Sequence, residues 1–160
     1  MLYEIKALSA ANMATTIEKS IIIFVPGAFH TPFHYFPVVK LLSEAGYRAE
    51  TVELPSTGKK PGSVTLEADI AAVRTLIEND TELGCDIILV VHSAGGVSGC
   101  AAVKGLAKRD HNTGGVARIV AVAGFLFPAG TDLLTGSGGK LSDWYYLKVN
   151  CPAFSMQMPR

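Results

Sequence analysis

The sequence has few cysteines, no excess of charge of either sign and no long apolar run. Its three cysteines, Cys85, Cys100 and Cys151, form no C-x-x-C pair and no metal-ligand spacing, which predicts reduced thiols and argues against a disulfide scaffold or a metal site. Lysine plus arginine balance aspartate plus glutamate at 14 each, without a basic stripe or an acidic block. Nucleic acid is therefore not an expected partner.

The N-terminal region lacks the features of a targeting segment. The first twenty residues include Glu4 and Lys6, and nowhere does the chain approach the roughly 18 apolar residues of a membrane span. We therefore expect a soluble cytoplasmic protein without membrane contact. Residues 1–12 show no pattern that connects to the apolar run at Ser20, and Met13 begins a plausible start of its own, so we expect a dispensable N-terminal extension.

What the sequence does have is an alternation of strand-like and helix-like segments. With 160 residues, 49% of them apolar, the chain can form one domain with a substantial core. Apolar, β-branched runs that indicate strands occupy residues 20–27, 47–55, 85–93 and 115–128. Patterns typical of helices occupy residues 31–46, 64–80 and 94–109. This order predicts an α/β fold with three αβα layers and a mostly parallel sheet within residues 13–135, followed by a lid-like or irregular tail at 136–160.

One strand-to-helix junction, "ILVVHSAGGVSG" at residues 88–99, displays a serine at a sharp turn. A nucleophilic serine at such a turn has a strained backbone, and the residues two before and two after it must be small enough for the helix to approach the strand. Those residues are Val91 and Gly95 around Ser93. Gly95 fits this pattern, whereas Val91 is larger than the glycine usually found there. The alternative is that Ser93 only caps its helix and the glycines only allow close packing.

A second turn, in "FVPGAFH" at residues 24–30, has the composition needed for an oxyanion hole. The helix that starts at Ala94 points free N–H groups at the turn, and these would stabilise an oxyanion formed when Ser93 attacks a carbonyl. The backbone N–H of Ala28 supplies a second donor if the first and third strands are neighbours. The two turns together favour a nucleophile over a helix cap.

These motifs carry a family resemblance over roughly residues 20–135. The segments "IIIFVPGAFHTPFHYFPVVKLLSEAGYRAETVELPS", "LEADIAAVRTLI", "DIILVVHSAGGVSGCAAVKGL" and "GGVARIVAVAGFLFPAG" resemble the N-terminal two thirds of an α/β-hydrolase, in the subgroup similar to plant methylesterases and hydroxynitrile lyases. The resemblance implies that Ser93 is the nucleophile, that the N–H groups of Ala28 and Ala94 form the oxyanion hole, and that the first and third strands are adjacent. It implies a structural role for His92, and it implies no metal and no organic cofactor.

The base and the acid that a serine nucleophile needs are not evident. Members of the family place the acid after a later strand and the histidine after the last strand, and this chain stops before either. Phe29, His30 and His34 follow the oxyanion turn and are expected at the pocket, where a histidine would be either a wall residue or a non-standard base. Asp132 follows the fourth strand and is a candidate acid. His111 lies in a loop that we expect to be far from the chemistry.

The sequence thus predicts a serine hydrolase that cleaves a small apolar ester through an acyl-enzyme on Ser93. An apolar lid is expected to select this small-molecule substrate, formed by Leu126, Phe127, Pro128, Leu133, Leu134 and residues 144–146. Two alternatives remain: a truncated or pseudo-hydrolase that acts as a binding module without catalysis, and a lyase built on the same site.

The strand "RIVAVAGFLF" at residues 118–127 raises a separate expectation. If the sheet order of the family holds, this apolar strand needs a neighbour on its outer side. Without that neighbour it is an exposed edge, which is prone to pair with another chain. We therefore expect self-association through this edge.

Overall fold

A computed structural model describes residues 20–57, 64–111, 113–140, 146–147 and 156–157. The expected extension at residues 1–12 lies outside the described residues, and so do Trp144, Tyr145 and Cys151 and most of the expected tail. None of the described helices is both long and apolar enough to cross a bilayer.

Four parallel strands form the central sheet, in the order β2-β1-β3-β4. They are β1 (Ser20–Val25), β2 (Arg48–Thr51), β3 (Asp86–His92) and β4 (Gly115–Val122). The expected adjacency of the first and third strands is confirmed, with Val25 opposite Val91 at the carboxyl ends. A short antiparallel pair, β5 (Tyr146–Leu147) and β6 (Met156–Gln157), was not expected from the sequence.

The helices cover both faces of this sheet. They are α1 (Phe36–Glu44), α2 (Leu66–Glu82), α3 (Gly95–Ala102) and the single turn α4 (Leu133–Gly136), with 3₁₀ turns at Pro32–Tyr35, Pro55–Thr57 and Lys108–Asp110. The chain passes from β1 to β2 in one direction across the sheet and from β2 to β3 to β4 in the other. Because parallel crossovers are right-handed, α1 lies on one face and α2 and α3 lie on the other. The α/β prediction with a mostly parallel sheet is confirmed.

Most of the predicted elements are longer than the observed ones, and the largest differences lie at the ends of the third helix and the fourth strand. The helix expected at residues 94–109 ends at Ala102, because the chain turns through Gly105, whose φ of +73° is incompatible with a right-handed helix. The strand expected to reach residue 128 ends at Val122, because Ala123 takes a φ of +46° and directs the chain back over the start of α3.

The core lies between the sheet and the α2–α3 layer. Alternate residues of the two central strands point into it and meet apolar residues of both helices: Ile21, Ile23, Val25, Ile87, Leu89, Val91, Val73, Ile77 and Ala102. The opposite face is less covered, since α1 contains no buried residue. This asymmetry places the best-packed part of the molecule directly beneath the junction of β3 and α3.

Strand β4 has an open outer side. It pairs only with β3 among the described strands, and Ile119, Val120 and Val122 are 42%, 44% and 51% exposed. The edge expected from the sequence is therefore present in the described part of the chain. Self-association through it stays a prediction.

Candidate active site

Ser93 occupies a strained backbone conformation between β3 and α3. Its φ is +51°, in the left-handed region that non-glycine residues seldom adopt. Three backbone hydrogen bonds hold it there: its N–H donates to the Val122 carbonyl at 3.2 Å, and its carbonyl accepts from the N–H groups of Phe125 and Gly96 at 2.9 and 3.0 Å. The neighbouring strand and the first turn of the helix therefore fix this conformation.

The side chain of Ser93 is not used as a helix cap. Helix α3 has Ala94 at its N-cap position and no side-chain cap, and no described residue is hydrogen-bonded to the Ser93 hydroxyl. The helix-cap alternative considered from the sequence is therefore wrong. Only the backbone of Ser93 contributes to starting the helix.

Glycines allow the backbones around Ser93 to come close together. A Cβ on Gly95 would lie 2.3 Å from the Pro26 carbonyl oxygen, and a Cβ on Gly27 would lie 2.9 Å from the Cβ of Ser93. These neighbours are backbone or stem atoms that cannot move aside, so a side chain at either position would push the two turns apart. Gly95 thus plays the part expected of the residue two after the serine.

Val91 departs from the expected pattern, and Gly99, which lies one helical turn after Gly95 in α3, makes room for it. A Cβ on Gly99 would lie only 2.6 Å from Cγ1 of Val91, which is fully buried. The space that a glycine at position 91 would leave is thus supplied by Gly99 instead. Nothing in the linear pattern of the sequence links Gly99 to Val91.

The turn after β1 lies beside Ser93. Its residue Phe29 has a φ of +65°, the N–H of His30 donates to the Gly27 carbonyl at 3.1 Å, and the His30 imidazole is 2.9 Å from the Ala28 carbonyl through Nδ1. These contacts hold the peptide units on both sides of Ala28. The backbones of Ala28 and Ala94 are therefore held in place next to the point where the two turns come closest to each other.

A cavity of about 270 Å³ adjoins both turns. Ala28 and Ala94, the two expected oxyanion donors, line it together with Leu54, Ser56, Thr57 and the first turns of α2 and α3. Its polar side chains include Ser56, Asp69 and Ser98, and the remaining wall is mainly apolar. Phe29, His30 and His34, which were expected at the pocket, do not line this cavity. Ser93 does not line it either, and the cavity reaches the residues that follow it, Ala94 and Gly95.

Three imidazoles and a phenol form a cluster between the turn after β1 and the end of β3. The His30 ring lies 4.9 Å from that of His34 and 5.0 Å from that of His92, and the Tyr35 hydroxyl is 2.9 Å from His92 Nδ1. Burial, with a smaller contribution from the nearby His30, lowers the pKa of His92. The neutral imidazole is therefore favoured, and its Nδ1 accepts a hydrogen bond from the Tyr35 hydroxyl. Burial raises the pKa of Tyr35, while a hydrogen bond with the Gly27 backbone acts in the opposite direction. Tyr35 thus links the turn after β1 to the end of β3.

The candidate acid Asp132 is exposed and is engaged in local hydrogen bonds. Its Oδ1 accepts the Thr135 N–H at 2.8 Å and its Oδ2 accepts the Thr135 hydroxyl at 2.7 Å, an arrangement that caps α4. These bonds lower the pKa of Asp132. The His111 ring is hydrogen-bonded to the Gly105 carbonyl at 2.8 Å, in the loop after α3. Among the described residues, no three His, Cys, Asp or Glu side chains converge as a metal site would require.

Comparison with known proteins agrees with this geometry. The model of the alpha/beta hydrolase family matches residues 22–156. The alpha/beta hydrolase nvfD of Aspergillus novofumigatus is 38% identical over 117 residues, which are 72% of this chain and 47% of that protein. A probable hydrolase of a Phoma species is 27% identical over 126 residues, which are 78% of this chain and 50% of its own. The chain thus spans about half the length of the curated relatives it matches.

A solved structure gives the same result for the fold. Tomato methylketone synthase I superposes with a TM-score of 0.60 at 18% identity, over 86% of this chain and 55% of that one. At that identity the likeness concerns the fold alone. The family match, the sheet order and the strained serine turn lead to one conclusion: the chain belongs to the alpha/beta hydrolase family.

Proposed function

We propose that Ser93 is the nucleophile of a serine hydrolase that acts on a small ester. In this mechanism the Ser93 hydroxyl attacks the ester carbonyl, and the N–H groups of Ala28 and Ala94 stabilise the oxyanion of the tetrahedral intermediate. The intermediate collapses to an acyl-enzyme with release of the alcohol, and water then hydrolyses the acyl-enzyme. The observation that carries this proposal is the φ of +51° at Ser93, held between a buried strand and a helix that glycines bring close.

The cavity beside the two turns supports a small substrate. Its volume of about 270 Å³ is just below the range of about 300–1,000 Å³ typical of drug-sized ligands. Leu54, Leu66 and Val97 line it, so much of its wall suits an aliphatic acyl chain. We assign the acyl group of the ester to this cavity, with its carbonyl oxygen near Ala28 and Ala94.

Attack by Ser93 also requires a base, because a serine hydroxyl is a poor nucleophile at its own pKa. No described imidazole or carboxylate is hydrogen-bonded to the Ser93 hydroxyl, and the two histidines that follow β1, His30 and His34, are engaged in contacts with each other and with the backbone around them. Without a base, an oxyanion hole and substrate binding can still supply a rate enhancement of about 10³–10⁴ over water. This observation favours, as a second candidate, a binding module that retains the hydrolase pocket without turnover.

Labelling with a fluorophosphonate tests the proposal, because this reagent needs a reactive serine and not a complete catalytic cycle. We expect covalent labelling of the chain, mapped by mass spectrometry to the peptide that carries Ser93, and its loss in Ser93→Ala. Ser56→Ala is the matched control, since Ser56 is an exposed serine that lines the same cavity and should leave labelling unchanged. Absence of labelling, or equal labelling of Ser93→Ala, would favour the binding module.

A further inference from the structure

The cavity contains one charged side chain that the proposed chemistry does not use. Asp69, on the first turn of α2, is only 6% exposed and lines the cavity that Ala28 and Ala94 also line. The only hydrogen bond that the described residues make to this carboxylate comes from the Ser56 N–H, which donates to Oδ1 at 2.9 Å. No described lysine, arginine or histidine forms an ion pair with it.

The second oxygen of the Asp69 carboxylate, Oδ2, has no hydrogen-bond partner among the described residues, and unlike Oδ2 of Asp80 it is not sealed from solvent. One bond to Oδ1 leaves most of the acceptor capacity of the group unused, since an ionised carboxylate has about four lone-pair sites. Ser56, Thr57 and Ser98 also line the cavity, but none of their hydroxyls is hydrogen-bonded to this carboxylate. A donor group on a ligand would therefore gain a charge-assisted hydrogen bond at Asp69 that no apolar ligand can make.

We infer that Asp69 is a specificity determinant, and that the substrate is an ester whose acyl chain ends in a hydrogen-bond donor, either a hydroxyl or an ammonium group. The inference rests on the proposed function, because it assigns the ester carbonyl to the Ala28 and Ala94 end of the cavity and the donor to the Asp69 end. It replaces the apolar ester expected from the sequence with an ester whose acyl chain has a polar end. Ser56 and Ser98 add hydroxyl groups to the same cavity.

Three esters of equal size test this inference: methyl heptanoate, methyl 6-hydroxyhexanoate and methyl 6-aminohexanoate. Binding is measured in Ser93→Ala, which turns nothing over, by NMR titration of the amides of Ala28, Ala94 and Gly95. A hydrogen bond to a charged group corresponds to a preference of about tenfold or more. We expect the hydroxyl or the ammonium ester to bind at least about tenfold more tightly than methyl heptanoate, and the stronger of the two identifies the donor.

Two variants separate specificity from a purely structural role of Asp69. Asp69→Asn keeps an acceptor for the Ser56 N–H and removes the charge, so we expect a folded protein whose preference for the ammonium ester is lost. Asp69→Leu removes the acceptor as well, and we expect the preference for both polar esters to fall to about one. Any of three results would overturn the inference. Methyl heptanoate could bind as tightly as the polar esters, the preference for polar esters could persist in both Asp69→Asn and Asp69→Leu, or no ester could bind. Because binding is measured without Ser93, a failure of fluorophosphonate labelling would leave this result unaffected.

Discussion

Val91 and Gly99 should behave as a strongly coupled pair in the stability of the fold. Gly99 lies within α3, where alanine is ordinarily preferred over glycine by about 1 kcal/mol. Here the new Cβ would lie 2.6 Å from Cγ1 of Val91, and the β-branched, fully buried valine has no free rotamer to move into. Gly99→Ala should therefore destabilise the protein although it improves helix propensity.

The magnitude follows from the contacts at the two positions. Overpacking of this kind costs about 1–3 kcal/mol, so after the gain of about 1 kcal/mol in helix propensity we expect Gly99→Ala to destabilise the protein by up to about 2 kcal/mol. Val91→Ala removes two buried methyl groups and should cost about 2 kcal/mol or more. With Cγ1 gone, the next neighbours of the Cβ that Gly99→Ala adds are at 3.5 and 3.6 Å, which is ordinary van der Waals contact. In the Val91→Ala background, Gly99→Ala should then stabilise by up to about 1 kcal/mol, because helix propensity and the filled space both favour it.

The coupling is measured as a double-mutant cycle, by urea unfolding of the parent, Val91→Ala, Gly99→Ala and the double variant. The expected interaction free energy is up to about 3 kcal/mol in favour of the double variant, with the effect of Gly99→Ala changing sign between the two backgrounds. Gly96→Ala is the matched control: its Cβ would lie 2.4 Å from the Phe125 carbonyl oxygen, a backbone atom that Val91→Ala does not relieve. Additive free energies for Val91→Ala and Gly99→Ala would refute the account of how this turn tolerates a valine.

Three further predictions concern the histidine cluster and the sheet edge. Burial lowers the pKa of His92 in the folded protein below 6.5, so as the pH falls the imidazole is protonated in the unfolded chain first. The stability linked to His92 should therefore be present above about pH 6.5 and be lost as the pH falls towards the pKa of His92 in the folded protein. Urea unfolding at several pH values should show a shallower loss in His92→Gln than in the parent, and identical slopes would contradict it. Tyr35→Phe should cost about 1 kcal/mol and raise the pKa of His92, measured by NMR titration, because it removes the donor that stabilises the neutral imidazole. Val120→Lys should reduce concentration-dependent association in sedimentation velocity experiments, whereas a parent chain that stays monomeric at high concentration would remove the basis for edge pairing.

Much of the fold could be predicted because its signals are local. Strands β1 and β3 are runs of β-branched residues too apolar to lie anywhere but at the centre of a sheet. Their adjacency followed from the family resemblance, and the structure agrees with it. The ends of α3 and β4 were misjudged because they depend on backbone turns at Gly105 and Ala123, and a left-handed alanine has no sequence signature.

In the candidate site too, features set by neighbouring residues could be predicted from the sequence, and contacts between distant residues could not. Ser93 and Gly95 lie within three residues of one another, so the requirement for a small residue beside a strained serine is visible in the sequence. Tyr35 and His92 are separated by 57 positions, and neither residue type at its own position indicates that the two side chains meet. Asp69 was missed for a different reason: an acidic residue in the first turn of a helix is ordinarily explained by the helix dipole.

The same distinction explains why the sequence offers a candidate nucleophile but no candidate base in contact with it. The conformation of Ser93 is maintained by backbone hydrogen bonds to Val122, Phe125 and Gly96, none of which involves an imidazole or a carboxylate. The strain that exposes the hydroxyl is therefore stored in the packing of β3, β4 and α3, and it persists whether or not a base is in reach. A base is a single side chain carried to the site by tertiary structure, so it needs no particular neighbours in the sequence. For this reason labelling of Ser93 tests whether a base activates the serine at this turn, and turnover of an ester tests whether the acyl-enzyme is also hydrolysed.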